Sequence, residues 1–498
     1  MRARGLWIGA TLLGAAGCAQ LLGLDDTRAT ADAGGADALV STSGMALALV
    51  DTRITTRVDD VALSLDPGPE FLVVDPAEAG GVRVVPGVAD GPGQWTAAVG
   101  SGERAMVRWT TPSNTYPNLL DVDGRELSER AIRLGRDGDP AGPLAALDAS
   151  INLGAPYAGE ILTLSTVGAW ASRNYPAAER PATGATTFNP PAVLMRDLSP
   201  TQGGPVQRVT SADAVFVLRA VGADHNALTG VYTAAPFEQG NDTRMLTGTM
   251  QVVARDQTLR ATLQPTVPAV RFAAAQPANP TVTMSWSVLA APGHQLGTNS
   301  GPRLISASVT SASPADVTVP YGNPFVARDW QPLFTWSAVA ARTYQGPGMT
   351  AAVGLRAQLF QITRAPSAGE LYDLPAPLPV LISVAGVALA ADGGTIPLDL
   401  GRLVEVGAEF GAGAVDVYAL ALYEVGDGGG RQQLAFVTAS GPTFQLPPAL
   451  FTVGRRYVLR AAANRGGYPN AASGDLRTRN LPIAVGLLDS GVFTVAAP

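Results

Sequence analysis

Period-two alternation constrains this chain more than any other feature. In residues 281–288 (TVTMSWSV), Val282, Met284, Trp286 and Val288 alternate with Thr281, Thr283, Ser285 and Ser287. An extended strand with that pattern has one apolar and one polar face. Comparable runs rich in Val, Thr, Leu and aromatics recur from about residue 39 onward, broken roughly every 8 to 12 residues by Gly, Pro, Asp or Asn, as in sandwiches and barrels. With 56 Gly and 39 Pro among 498 residues, turn formers are plentiful. The sequence therefore predicts an all-β fold of tandem β-sandwich modules. Residues 214–221 (AVFVLRAV) and 416–425 (DVYALALYEV) are apolar on both faces, the mark of central strands covered on both sides. Hairpin turns are predicted at 391–394 and 427–430 (DGGG). One short connecting helix is predicted, at 126–134 (ELSERAIRL).

Composition narrows the chemistry. Charged residues make up 15% of the chain, against about 25% in typical soluble domains. All 34 basic residues are Arg, and there are two His and one Cys. Lysine Schiff-base and P-loop chemistry, intrachain disulfides and multi-thiolate zinc sites are thereby excluded. His225 and His294 lie 69 residues apart in a turn and a loop, so no HExxH pair exists. No GxSxG elbow is present, and Gly411 and Gly413 do not complete GxGxxG. Carboxylates are the remaining route to catalysis.

The N-terminus reads as an export signal: Arg2 and Arg4, an apolar core at 5–13 (GLWIGATLL), then small residues. The apolar stretch is too short for a membrane span of about 20 residues. The sole cysteine, Cys18, follows Ala15-Ala16-Gly17, and this tetrad resembles the lipobox of bacterial lipoproteins, with Ala15 where that motif usually carries Leu. The resemblance implies lipidation of Cys18 after removal of residues 1–17, and Ala19 in place of Asp implies the outer membrane of a Gram-negative cell. Cleavage would move the formal net charge from −7 to −9, a sign that disfavours nucleic acid and anionic lipid as partners. A polar, acidic tether is predicted over 18–40. Pro- and Gly-rich stretches suggest modules at 41–143, 144–265, 266–375 and 376–498. Scattered prolines and the final VAAP argue against a transmembrane barrel.

In the last module, residues 443–463 (TFQLPPALFTVGRRYVLRAAA) resemble the E to F region of a fibronectin type III domain. A strand ends at Leu446, a corner passes through Gly454, and Tyr457 occupies the tyrosine-corner position. Leu459 and Ala461 are predicted to face inward, with Arg456, Val458 and Arg460 outward. The module has no Trp, a departure from that family. The whole layout, on a lysine-free chain, resembles multi-domain surface lipoproteins of GC-rich Gram-negative bacteria. It implies an anchored envelope protein, non-enzymatic, serving adhesion, envelope structure or protein binding, with no required cofactor.

Two constellations offer alternatives. Asp121 and Asp123 (DVDGRE), with Asp137 and Asp139 (DGD), could supply oxygens to Ca²⁺, although Asp-Gly pairs are turn formers first. Trp330 and Trp336, following Tyr321-Gly322-Asn323-Pro324-Phe325, are candidates for an aromatic platform in a glycan-binding or glycan-cleaving protein. Core packing is the competing role for such large rings.

Overall fold

A computed structural model describes residues 44–111, 115–135, 139–200, 205–221, 226–263, 281–292, 301–309, 315–364, 377–391 and 393–498. The described secondary structure consists of strands and five single-turn 3-10 helices. The fold is all-β and built of stacked sheets.

The spine is one hydrogen-bonded path that passes repeatedly between distant parts of the chain. It starts at Val82–Pro86, Glu70–Val74, Ala105–Trp109 and Asn118–Asp121. From there it crosses in parallel to Arg431–Ala439, then runs through Val417–Val425, Arg456–Gly466 and Ile483–Asp489. It continues into Val353–Arg364, Trp330–Tyr344, Thr281–Pro292 and Arg303–Val309. Asn226–Thr233, Ala214–Val221 and Ile161–Val167 follow, and Ala171–Asn174 and Ser199–Pro200 end it.

Smaller sheets cover both faces of this spine. Along Glu70–Val74, Phe71 and Val73 enter one core while Leu72 enters another; Leu120 and Leu119 divide in the same way, as do Ala421 and Leu420. The first core is closed by the sheet of Met45–Ile54, which contributes Met45, Leu47 and Leu49. The second is closed by the sheet of Pro379–Val384, Val404–Phe410 and Thr443–Leu446, through Ile382, Val406 and Phe444. At the other end, Val215 and Val217 pack on the sheet of Ala146–Asn152, whereas Phe216 and Leu218 point into a separate core. Of the apolar runs at 214–221 and 416–425, residues 214–219 and most of 417–425 have the two-sided burial predicted from their sequence, each large side chain so buried contributing about 1.5–3 kcal/mol. Met284, Trp286 and Val288 are buried, while Thr283 and Ser285 remain exposed.

Several expectations are corrected. Glu126–Leu134 is a strand, because nine consecutive parallel pairings to residues 46–54 override a helix-favouring composition. Residues 427–430 close a hairpin between Val417–Val425 and Arg431–Ala439; the turn predicted at 391–394 includes Asp392, which lies outside the described residues, and Gly394–Pro397 pairs in parallel with Phe493–Ala496. Val458, expected to face outward, is 0% exposed, since its strand is covered on both faces. Ladders also cross the predicted module limits. Asn118–Asp121 pairs with Arg431–Ala439, Asn226–Thr233 with Arg303–Val309, and Val353–Arg364 with Ile483–Asp489. Hydrogen-bonded ladders thus join strands on either side of 143, 265 and 375.

Candidate functional site

The strand Met45–Ile54 has a neighbour along each edge. Glu126–Leu134 runs parallel on one side; on the other, Gln94–Ala97 pairs with its first half and Val58–Ala62 with its second. Residues of those strands line a cavity of about 390 Å³. Its wall includes Ala48, Asp60, Gly93, Arg130, Arg477 and Thr478. Gly93 is required here: its φ is +69°, and a Cβ would meet the Leu49 carbonyl at 2.7 Å.

Arg130 forms the cavity's cationic back wall. It is 6% exposed, and its guanidinium donates to Thr52 Oγ1 at 3.0 Å and to Asp60 Oδ1 at 3.1 Å. Thr52 in turn donates to Asp60 at 2.7 Å. Burial, then the like charges of Arg479 and Arg477, push the Arg130 guanidinium down to about 10.

The front wall comes from the far end of the chain. Residues 474–479 are laid along Glu126–Leu134, with Ser128 N–H donating to Gly474 O at 3.0 Å and Leu476 N–H to Ser128 O at 2.9 Å. Gly474, at φ +84°, permits the contact, since a Cβ there would meet Glu126 O at 3.0 Å. Asp475 organises the turn by accepting from Ser128 Oγ (2.9 Å), Thr478 Oγ1 (2.7 Å), Asn470 Nδ2 (3.2 Å) and the N–H groups of Arg477 (2.9 Å) and Thr478 (3.3 Å). Burial alone would raise this carboxyl, but the Thr478, Asn470, Ser128 and backbone donors hold it down at about 2. Arg477 Nε lies 3.8 Å from Asp475, its side chain 45% exposed beside the cavity.

Behind the turn, Arg479 donates to Arg130 O at 2.8 Å and to Leu476 O at 3.1 Å and lies over the Tyr468 ring at 5.0 Å. Glu129 shares this region, its carboxyl raised by burial to about 7 against the opposing charge of Arg479. The arrangement holds two arginines at a concave surface with one carboxylate, Asp60, facing them. Chemically it can receive hydrogen-bond acceptors and negative charge.

The residues singled out from sequence lie elsewhere. Trp330 is 1% exposed, stacked on Phe325 at 5.4 Å, and donates its indole N–H to Thr56 O at 3.1 Å. It is a core residue and cannot form a surface platform. Trp336 is half-buried, its indole N–H donating to Gln361 Oε1 at 2.5 Å. Asp121 is buried and held by Arg104 Nη2 at 2.9 Å from both carboxylate oxygens. Asp123 is exposed and accepts from Ser440 Oγ at 3.3 Å; Asp139 is exposed and pairs with Arg208 at 3.2 Å. No group of three or more metal-ligating side chains forms among the described residues. Asp121 and Asp139 are each matched by an arginine. Asp137, His225, His294 and Cys18 lie outside the described residues.

Sequence reading missed Asp60, Arg130, Asp475 and Arg477. The available signal was the alternation of charge in 475–480 (DLRTRN) and of Glu129, Arg130 and Arg133 along a segment read as helix. No protein-family model matches the chain, and no curated protein matches it.

Proposed function

We propose that the chain is a lipid-anchored cell-envelope scaffold, held in the outer membrane through Cys18 and serving adhesion, envelope structure or protein binding. One observation carries the reading: the first described strand, Met45–Ile54, has neighbours along both edges, nine of its residues pairing in parallel with Glu126–Leu134. A pull on the N-terminal segment along this strand loads many hydrogen bonds in shear together, instead of peeling them one by one. Such a strand placed after an anchor suits a protein that transmits force. The proposal includes a fibronectin type III-like terminal module at 376–498. Its support is the Tyr457 hydroxyl, which accepts from Thr452 N–H at 2.8 Å and pins the turn before its strand.

The anchor is tested by replacing Cys18 with Ser and fractionating cells. Two or more acyl chains hold a protein stably at a membrane, so Cys18→Ser is expected to move the chain from the membrane to the soluble fraction. Unchanged membrane retention would overturn the anchor.

A further inference from the structure

We propose that the cavity between Met45–Ile54 and the turn at 474–479 binds a compact oxyanion, a carboxylate or phosphate group, received by Arg477 and Arg130. The volume of about 390 Å³ lies within the range of small-ligand sites. The chain carries a formal net charge of −7, yet three arginines gather at this spot, partly offset by Asp60, Asp475 and Glu129. Arg130 and Arg477 line the cavity and Arg479 lies just behind it, while Asp60 is the only acidic residue in the lining. Asp475, at the base of the turn, has its acceptor capacity taken up by five donors from its own turn and from Ser128. Arg477 therefore projects from a fixed backbone with only a 3.8 Å contact to that carboxylate.

The two arginines also differ usefully in mobility. Arg130 is immobilised by Thr52 and Asp60, whereas the half-exposed Arg477 can close on a ligand. A guanidinium presents paired donors that match the two oxygens of a carboxylate or phosphate. A bound anion would offset the mutual repulsion of Arg130, Arg477 and Arg479. Gln94 adds an amide at the rim, while the Thr478 N–H and hydroxyl stay committed to Asp475.

The test is calorimetric titration of the full chain in detergent with sodium phosphate and, separately, sodium glucuronate, at constant ionic strength. Saturable one-to-one binding of at least one of them is expected. Arg477→Gln is expected to weaken it about tenfold, the size of a lost charge-assisted contact. Arg402→Gln, an exposed arginine outside the cavity, is expected to leave it unchanged. Preference for phosphate would point to a phosphate ester as the natural ligand, and preference for glucuronate to an acidic sugar or other carboxylate. If neither anion saturates, or if Arg477→Gln binds as the unmodified chain does at an unchanged melting temperature, the site is refuted. Binding in solution does not depend on Cys18, so this proposal and the anchored-scaffold reading can fail independently.

Discussion

Asp489 shows how much a single side chain can carry in this molecule. It is 2% exposed and receives Arg460 Nε at 2.6 Å, Arg431 Nη1 at 3.0 Å and the Arg356 backbone N–H at 3.0 Å. The Tyr423 ring lies beneath both guanidinium groups, at 5.2 and 5.7 Å. Burial alone would raise its carboxyl, but Arg460 and Arg431 hold it down at about 2, from an ordinary 3.8. Because the folded value lies below the unfolded one, this contribution is present above about pH 4 and is lost as pH falls toward 2. It is worth roughly 2 kcal/mol. Asp489→Asn leaves two arginines without their counter-charge and is expected to cost about 3 kcal/mol at pH 7. Thermal or denaturant unfolding at pH 7 and pH 3 checks both points: the variant should be clearly weaker at pH 7, and its deficit should narrow at pH 3. A constant deficit would assign the loss to packing. Nothing local in 483–489 announces this role, since Arg431 and Arg460 come from other strands.

At the scale of elements, burial of the strands follows from their place in the layers. Val417–Val425 has a neighbour on each edge and a core on each face, whereas Val88–Gly91 is exposed along its whole length. Local opening free energies track such differences. Amide exchange read by mass spectrometry is expected to be about a thousandfold or more slower in 417–425 and 456–466 than in 88–91. Equal exchange would contradict the layered arrangement. The strand Glu126–Leu134 is the instructive misreading. Glu, Leu, Ala and Arg favour helix locally, but a central position beside Met45–Ile54 supplies more hydrogen bonds and burial than propensity, worth under about 1 kcal/mol per residue, can oppose. The hairpin at 427–430 was legible because its strands are adjacent in sequence and joined by glycines.

For the whole molecule, the spine predicts that the terminal segment is not self-sufficient. Ile483–Asp489 pairs with Val353–Arg364, and Arg431–Ala439 pairs with Asn118–Asp121. A fragment of residues 377–498 would expose both of those edges and the apolar face that includes Ala419, Ala421, Phe436 and Val485. It is expected to lack a cooperative thermal transition by circular dichroism and to associate, and to recover one when co-expressed with residues 44–364. A fragment that melts cooperatively by itself would show that the terminal sandwich is independent after all. What the sequence by itself determined is local and periodic: strands over most of the described residues, the two-sided burial of 214–219 and most of 417–425, and the exclusion of lysine and multi-thiol chemistry. The tertiary structure alone decided which strands pair and which charges meet. Alternation says which side chains are buried but not which edge a strand joins. The cavity depends on such distant meetings: Ser128 and Asp475 are 347 residues apart in sequence, and Arg130 and Arg479 are 349 apart. Only the layering of sheets brings those edges, and their arginines, to one place.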